Sequence, residues 1–263
     1  MKMKIAILLL LGWWLVAPAA AEVVTQEVSY QSGDVTLQGY LAYPKDASSR
    51  PAVLVVHEWW GHNSYARVRA EMLAKLGYVA FALDMYGEGK VADHPDDAKK
   101  FMQEATQDQD VLKKRFLAAL DYVQQLEQVN QESIAAIGYC FGGGVVLNMA
   151  RRGVDLDGVV SFHGSLATNQ LAEKDTVTAK ILVLHGGNDA FMPESQVLSF
   201  EEEMTAANAD YEVVVYENVD HSFTNPGADD FAEKYDMPVS YDQEADHASW
   251  NKMKLFLADI LGG

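Results

Sequence analysis

The residue in this chain with the clearest capacity for covalent chemistry is Cys140, its one cysteine. Cys140 stands between Gly138 and Gly142, directly after a short apolar run at residues 134–137. The spacing Gly-x-nucleophile-x-Gly is typical of a strand that turns sharply into a helix and exposes the central side chain. Glycine at the two flanking positions allows a close backbone approach that a Cβ would prevent. The pattern therefore predicts a thiol nucleophile at a tight bend.

A thiol nucleophile needs a base and a third group that orients the base. Asp189 follows an apolar run at residues 181–184, and His221 follows another at residues 212–216. The chain order Cys140, Asp189, His221 is the order of nucleophile, acid and histidine in α/β-hydrolase folds. A loop aspartate is usually a helix cap and a single histidine is often structural, so neither residue indicates much alone. Their order, each after its own strand, predicts a Cys140–His221–Asp189 triad.

Attack on a carbonyl also requires hydrogen-bond donors at the developing oxyanion. We expect these donors to be two backbone N–H groups, that of Phe141 directly after the nucleophile and that of Trp59 after the apolar run at residues 52–56. Glu58 lies in the same loop as Trp59, directly after a strand that should be buried. Burial raises the pKa of a carboxyl group, which would let Glu58 exchange a proton with Cys140.

Apolar periodicity divides the rest of the chain into strands and helices. Residues 28–30 and 35–43 alternate apolar and polar side chains around a Ser-Gly-Asp turn, which is typical of an antiparallel hairpin. Six continuous apolar runs are typical of strands covered on both faces: residues 52–56, 79–83, 134–137, 158–162, 181–184 and 212–216. Four stripes have helical spacing: Val68, Met72 and Leu76; Leu112, Phe116, Ala119, Val123 and Leu126; Val197, Phe200 and Met204; Ser249, Met253, Phe256 and Ile260.

This alternation predicts an α/β fold with a mostly parallel, doubly wound sheet and an N-terminal antiparallel hairpin. In such sheets ligands bind at the carboxyl ends of the strands. Each of the predicted catalytic residues follows a strand, so we expect them to meet at that edge.

The first 21 residues have the composition of a secretory signal peptide. Lys2 and Lys4 precede an apolar run at residues 5–16, and small residues at 17–21 suit a cleavage site. The run is too short for a stable membrane anchor. We therefore expect cleavage after Ala21, export to a bacterial periplasm and no membrane attachment afterwards. Removing 21 of the 263 residues leaves 242, which suits a single α/β domain over residues 22–263.

The charge balance argues against two classes of partner. The formal net charge is −18, and loss of Lys2 and Lys4 lowers it to −20. So acidic a surface disfavours binding to nucleic acid and to anionic membranes. We expect a monomer whose partner is a small-molecule ester or lactone.

The segment His-Glu-Trp-Trp-Gly-His at residues 57–62 looks like a zinc-peptidase motif. That motif places its histidines four residues apart on a helix. His57 and His62 are five residues apart, with Gly61 between them and a predicted strand directly before them. We therefore expect no metal site here.

Taken together, the segments resemble the dienelactone hydrolase family. Five segments match in family order from about residue 36 to the C-terminus: Val-Val-His-Glu-x-x-Gly at 55–61, Leu-Asp-Met-Tyr at 83–86, Gly-Tyr-Cys-Phe-Gly-Gly at 138–143, His-Gly-Gly-Asn-Asp at 185–189 and His-Ser-Phe at 221–223. The resemblance implies an α/β-hydrolase fold without a large lid domain, the Cys140–His221–Asp189 triad and no cofactor. It also implies that Glu58 pairs with the thiol at rest and releases a thiolate when an acyl substrate docks.

The sequence departs from the family pattern where the substrate would bind. Members that open dienelactone hold its carboxylate with two arginines, one shortly after Leu-Asp-x-Tyr and one just past His-Ser-Phe. Here those stretches are Gly-Glu-Gly-Lys at 87–90 and Thr-Asn-Pro at 224–226, so Lys90 is the nearby cation, without the planar fork of arginine. Aromatic residues favour an apolar pocket for a neutral ester or lactone: Trp59, Trp60, Tyr86, Phe141, Phe191 and Phe223. Core packing would explain Tyr86 and Phe191 equally well.

The leading interpretation is a secreted hydrolase that forms an acyl-thioenzyme on Cys140. A binding protein that kept the fold and lost turnover is the first alternative, since a fold does not fix a function. A thiol redox protein is the second, although the chain offers no second cysteine to resolve an oxidised Cys140.

Overall fold

The computed structural model describes residues 22–262, so the predicted signal peptide lies outside the described residues. The strands of this part of the chain are β1 (Val23–Ser32), β2 (Val35–Pro44), β3 (Arg50–Val56), β4 (Val79–Leu83), β5 (Val129–Tyr139), β6 (Gly158–Phe162), β7 (Lys180–Gly186) and β8 (Tyr211–Tyr216). Its helices are α1 (Ser64–Lys75), α2 (Pro95–Thr106), α3 (Gln109–Gln124), α4 (Phe141–Arg151), α5 (Glu194–Ala206), α6 (Ala228–Tyr235) and α7 (Gln243–Leu261).

The eight strands form one sheet in the order β1-β2-β4-β3-β5-β6-β7-β8. β1 pairs with β2, and β2 with β4, in antiparallel fashion, whereas the strands from β4 across to β8 are parallel. The predicted mostly parallel sheet with an N-terminal antiparallel hairpin is confirmed.

Helices cover both faces of the sheet, which explains the continuous apolar runs. In β3, Leu54 packs in one apolar cluster with residues of α3, α4 and α5. Its neighbours Val53 and Val55 pack in a second cluster with residues of α1 and α7. Because successive side chains point to opposite faces, a strand covered on both faces must be apolar at every position.

The predicted helical stripes are confirmed in three helices and wrong in the fourth. The stripes of α3 and α5 are buried, and the stripe of α7 contributes buried Ser249 and Met253. In α1, however, Val68 is 51% exposed and Leu76, just past its end, 43% exposed. The buried face of α1 carries Ala66, Ala70, Leu73 and Ala74 together with Arg69. Because Arg69 lies on the buried face, a search for apolar residues at helical spacing does not identify that face.

The carboxyl ends of the central strands lie along one edge, as expected for parallel strands. β3 ends at Val56, β5 at Tyr139, β7 at Gly186 and β8 at Tyr216. The loops that follow these strands carry every predicted catalytic residue. Helices α2 and α6, which the periodicity did not predict, bury few side chains; in α2 these are Ala98 and Ala105.

Candidate active site

Cys140 lies at the turn between β5 and α4, where its backbone adopts φ 52° and ψ −113°. A non-glycine residue held in so sparsely populated a region costs about 1–3 kcal/mol, so neighbouring contacts must maintain it. A Cβ on Gly138 would overlap the backbone of Gly142, and a Cβ on Gly142 would overlap the carbonyl of Val56. The two glycines therefore permit the bend, and the Cys140 side chain is partly exposed on it.

His221 and Asp189 meet at the same edge of the sheet. The distance between His221 Nδ1 and Asp189 Oδ2 is 2.7 Å, and both side chains are buried. Asp189 Oδ1 accepts the backbone N–H groups of Phe191 and Met192 at 2.9 and 3.1 Å. Since both carboxylate oxygens are engaged, Asp189 fixes the orientation of the imidazole and leaves Nε2 facing away from the carboxylate.

The His221 ring lines the same cavity as the Cys140 thiol. Burial opposes a positive charge on the ring, but the charge and hydrogen bond of Cys140, together with Asp189, raise the pKa of His221 to about 10. Phe191 packs edge-on against the imidazole, with the ring centroids 5.1 Å apart. The structure thus places the His221–Asp189 pair on the same cavity as Cys140, and the triad of the three residues stays a prediction.

Two backbone N–H groups beside Cys140 have no acceptor among residues 22–262, those of Phe141 and Trp59. Phe141 is the first residue of α4, where N–H groups have no partner inside the helix. Trp59 lies in the turn after β3, and its side chain lines a cavity that also reaches Cys140 and His221. Both groups are therefore able to donate to an oxyanion, and the oxyanion hole stays a prediction.

Glu58 is buried, as expected, but its hydrogen-bond partner is Asn225 and not the thiol. Asn225 Nδ2 donates to Glu58 Oε2 at 2.6 Å. Burial raises the pKa of Glu58 to about 7, although the Asn225 amide and the positive charges of His221 and Arg69 lower it. Asn225 lies in the loop after β8 and engages one oxygen of the carboxylate, so the resting pair of Glu58 with Cys140 stays a prediction.

His163 is a buried residue of the site that the sequence patterns did not indicate. Its Nδ1 accepts the Cys140 N–H at 3.2 Å, and its Nε2 lies 2.7 Å from Thr224 Oγ1. Burial holds the pKa of His163 well below its usual value, so the ring is neutral and its Nε2–H donates to Thr224. Since His163 follows β6 directly, its position at a strand end was the one available signal.

Arg69 connects this part of the site to helix α1. Its guanidinium donates to the Thr224 carbonyl and to Asp246 Oδ1, the latter at 2.7 Å, and both ionic side chains are buried. Tyr65, one turn earlier on α1, lies 2.6 Å from Thr224 Oγ1. These contacts fix the backbone of the loop that carries His221, Thr224 and Asn225.

Two cavities meet at Cys140. The first, which we call the aromatic cavity, has a volume of about 290 Å³ and is lined by Trp59, Trp60, Lys99, Met102, Cys140, Phe191, Met192, His221, Ser222, Phe231, Met237 and Val239. The second, which we call the amide cavity, has a volume of about 410 Å³ and is lined by Met102, Thr106, Gln109, Leu112, Cys140, Phe141, Gly144, Val145, Asn148, Ser165, Ala167, Thr168, Asn169, Gln170 and Met192. Both are of the size that binds small molecules.

Of the predicted pocket residues, Trp59, Trp60 and Phe191 line the aromatic cavity, whereas Tyr86 and Phe223 line neither cavity. Phe223 is fully buried and packs against His163, with ring centroids 5.1 Å apart. Tyr86 is 4% exposed, and its hydroxyl donates to the Trp59 carbonyl at 2.9 Å. The assignment of these two rings to the substrate pocket is wrong: they pack beneath the site and support the residues that form it.

The two histidines of the apparent zinc motif bond to backbone groups in different directions. His57 Nδ1 lies 2.6 Å from the Glu58 carbonyl and its Nε2 accepts the Met85 N–H at 3.2 Å. His62 Nε2 lies 2.9 Å from the Ala82 carbonyl. Across residues 22–262, no group of three metal-ligating side chains converges on one point.

None of the helices within residues 22–262 combines the length and apolarity that crossing a membrane requires.

The fold and this arrangement of a thiol, an imidazole and a carboxylate at the strand ends define an α/β-hydrolase. The sequence model of the dienelactone hydrolase family matches residues 37–261, and the chain belongs to that family. It is therefore a hydrolase that acts on esters or lactones.

Individual relatives agree with this assignment. A protein provisionally named carboxymethylenebutenolidase, from Aquifex aeolicus (strain VF5), is 31% identical over 78% of this chain and 89% of its own length. Protein usf from Aquifex pyrophilus is 29% identical over 90% of this chain and 99% of its own length. Among solved structures, the dienelactone hydrolase-like promiscuous phosphotriesterase P91, from metagenomic libraries, is similar with a TM-score of 0.85 and 30% identity over 90% of this chain and 98% of P91.

Proposed function

We propose that this protein hydrolyses neutral carboxylic esters or lactones through an acyl-thioenzyme on Cys140. His221 acts as the acid and base, and Asp189 orients it. The observation that carries the proposal is the 2.7 Å contact between His221 Nδ1 and Asp189 Oδ2 at a ring that lines the same cavity as Cys140. The carboxymethylenebutenolidase name of one relative agrees with ester or lactone chemistry.

The first half of the reaction forms a thioester. The Cys140 thiolate attacks the acyl carbon, the S–C bond forms, and the carbonyl oxygen becomes an oxyanion that accepts the N–H groups of Phe141 and Trp59. Each such donor lowers the barrier by about 3–4 kcal/mol. The C–O bond then breaks as His221, protonated at Nε2, gives its proton to the leaving oxygen. The high pKa of His221 beside the thiolate supports this role, since the ring carries the proton at neutral pH.

The second half releases the acid. Water attacks the thioester carbon while neutral His221 accepts a water proton, the C–S bond breaks, and the thiolate and the protonated ring are restored. In a lactone the leaving oxygen stays attached to the acyl group, so the product is a single hydroxy acid.

The charges around the site support a neutral substrate. Lys99 is the one lysine or arginine that lines either cavity within the described residues, and it is exposed at the rim of the aromatic cavity. Lys90 lines neither cavity, and its ammonium lies 3.9 Å from Glu88 Oε2. Asn225 occupies the stretch where family members carry an arginine, and it bonds Glu58. Among residues 22–262, a substrate carboxylate in either cavity would therefore find no buried lysine or arginine to bind it.

The test is turnover of p-nitrophenyl acetate combined with iodoacetamide labelling. Because Cys140 is the one cysteine, labelling reports on this site alone. We expect turnover that iodoacetamide abolishes, loss of turnover in Cys140→Ala, and an acetylated protein by mass spectrometry in rapidly quenched samples. Labelling without turnover would support the redox alternative, and absence of both would support a binding protein.

We further propose that Glu58 exchanges a proton with the site when substrate binds. Its carboxyl is buried within the electrostatic reach of His221 and has a pKa of about 7, so both protonation states are accessible near neutral pH. Glu58→Gln should change the turnover of p-nitrophenyl acetate and the rate at which peroxide inactivates Cys140. Unchanged values of both would remove this role, and Glu127→Gln, at an exposed turn, is the matched control.

We also propose that residues 1–21 direct export to the periplasm, as their sequence predicts. Expression in a bacterium with its N-terminal sequence intact, followed by osmotic shock, should release a protein whose mass corresponds to a start at Glu22. A protein that retains Met1 and stays with the cytoplasmic fraction would contradict the proposal.

A further inference from the structure

We propose that the two cavities at Cys140 divide the substrate. The amide cavity takes an uncharged acyl arm that carries hydroxyl or amide groups, and the aromatic cavity takes an apolar leaving alcohol of about the size of a benzyl group. The inference rests on the proposed function, because the arms are defined by the ester bond that Cys140 attacks. It adds the class of substrate: neutral esters of hydroxylated or amide-bearing acids with aryl-type alcohols.

The two cavities share Cys140, Met102 and Met192 and otherwise differ in chemistry. In the aromatic cavity, Trp60 stacks on Phe231 with ring centroids 4.3 Å apart. A dry apolar cavity of about 150 Å³ suffices to bind benzene, so about 290 Å³ accommodates an aryl ring and its linker. An apolar arm placed here gains the free energy of removing its surface from water.

The amide cavity presents uncharged polar side chains: Thr106, Gln109, Asn148, Ser165, Thr168 and Gln170. Asn148 lies on α4 eight residues after Cys140, and Gly144 between them lines the same cavity, so this face of the helix looks onto it. Within the described chain, the Asn148 amide makes no hydrogen bond, and its Oδ1 is buried. Gln109 Oε1 is also buried without a donor, while Gln109 Nε2 donates to Thr106 O at 2.8 Å.

Unpaired amide groups at a cavity wall favour a ligand that can pair with them. A buried polar atom without a partner costs about 1–3 kcal/mol. Among residues 22–262 no hydrogen bond fixes the orientation of the Asn148 amide, and its terminal torsion is soft, so the amide can turn either its oxygen or its N–H₂ towards a ligand. A hydroxyl group or an amide can use both ends, whereas an aliphatic arm leaves them unpaired. This asymmetry is the reason for assigning the polar arm to the amide cavity.

The position of His221 decides which arm leaves. His221 must give its proton to the leaving oxygen, and both His221 and Ser222 line the aromatic cavity but not the amide cavity. The leaving oxygen therefore lies at the mouth of the aromatic cavity, and the alcohol extends into it. The acyl carbon bonded to Cys140 then directs its substituent along α4, past Gly144 and Val145, into the amide cavity.

The experiment compares three esters. Benzyl 3-hydroxybutanoate carries the proposed arms, and benzyl 3-methylbutanoate replaces the hydroxyl by a methyl group of similar size. 2-Hydroxypropyl phenylacetate is a structural isomer of the first ester with its two arms exchanged across the ester bond. We expect kcat/KM to be highest for benzyl 3-hydroxybutanoate, by about tenfold over each of the others, since one neutral hydrogen bond is worth about that factor at most.

Asn148→Leu preserves side-chain size and removes the amide. It should bring the ratio of kcat/KM for benzyl 3-hydroxybutanoate to that for benzyl 3-methylbutanoate from about ten to about one, whatever its effect on the absolute value for either ester. A urea-denaturation midpoint close to that of the wild type shows that the variant is folded. Gln124→Leu removes an amide from the end of α3, away from both cavities, and should retain the preference.

The outcomes separate the inference from the function on which it rests. If the wild type hydrolyses all three esters with equal kcat/KM, or Asn148→Leu keeps the full preference, the assignment of a polar acyl arm to the amide cavity is wrong. Faster hydrolysis of 2-hydroxypropyl phenylacetate than of benzyl 3-hydroxybutanoate would show that the acyl and alcohol arms occupy the opposite cavities to those proposed. If the wild type hydrolyses none of the three and p-nitrophenyl acetate is also stable, the proposed function itself fails and the inference falls with it.

Discussion

Glu58→Gln should stabilise the protein at alkaline pH and have little effect at acidic pH. Burial raises the pKa of Glu58 from 4.5 to about 7, so the folded state binds its proton more tightly than the unfolded chain does. Between those two pKa values the folded state holds more protons, and the free energy of unfolding therefore falls as pH rises. Glutamine resembles the protonated carboxyl, keeps an oxygen that can accept the Asn225 amide, and does not titrate.

The size of the effect follows from the two pKa values. Each unit of pKa difference corresponds to about 1.4 kcal/mol, so raising the pH from about 5 to about 8 should cost the wild type about 2–3 kcal/mol relative to Glu58→Gln. Below the unfolded pKa of 4.5 both states are protonated, and the difference between wild type and variant should vanish. Above the folded pKa the difference is complete.

Urea denaturation at about pH 5 and about pH 8 measures this change. With an m-value of about 2–3 kcal/mol per molar, the urea midpoint of Glu58→Gln should exceed that of the wild type by about 1 M more at about pH 8 than at about pH 5. Glu127→Gln makes the same chemical change at an exposed turn and should follow the wild type at both pH values. A constant gap between Glu58→Gln and wild type across the pH range would show that Glu58 ionises as readily in the folded protein as in the unfolded chain.

Three further substitutions test the arrangement. Asp189→Asn should lower kcat for p-nitrophenyl acetate by about 10²- to 10⁴-fold, because the imidazole loses its charged partner; a smaller loss would exclude an orienting role. Gly138→Ala should destabilise the protein by about 3 kcal/mol or more in urea, since the new Cβ overlaps backbone, whereas Gly227→Ala, with its nearest atom 3.4 Å away, should not. Arg69→Met should cost about 3–5 kcal/mol by leaving buried Asp246 unpaired, and a near-neutral midpoint would contradict that reading.

The sheet, and the location of Cys140, His221 and Asp189 in loops at one edge of it, could be predicted because both follow from chain-local patterns. Continuous apolar runs identify strands covered on both faces, and parallel strands bring their carboxyl ends to one edge. Three chemically suitable residues, each following its own strand, then lie close together without any knowledge of side-chain contacts. The glycine spacing around Cys140 adds the backbone bend by steric exclusion alone.

Contacts between distant loops could not be predicted in this way. The partner of Glu58 is Asn225, which lies 167 positions away and which the sequence showed mainly as a missing arginine. Tyr86, Phe223 and Trp60 are all aromatic residues in loops that follow strands. Tyr86 and Phe223 nevertheless pack beneath the site, whereas Trp60 lines it. An aromatic residue near a strand end can either line the substrate cavity or pack beneath the residues that line it. Tertiary packing decides between the two, and the sequence pattern does not show it.

The loop from His221 to Asn225 shows why strand-end position alone does not make the site. Thr224 accepts the Arg69 guanidinium on its carbonyl and contacts His163 through its hydroxyl, and His163 in turn accepts the Cys140 N–H. The loop that carries His221 is thereby bonded, through one neutral imidazole, to the strained backbone of Cys140. A bend that costs about 1–3 kcal/mol persists only where such contacts fix it from several directions. Arg69, which interrupts the apolar pattern on the inner face of α1, is therefore the same residue that holds the loop from His221 to Asn225 in place.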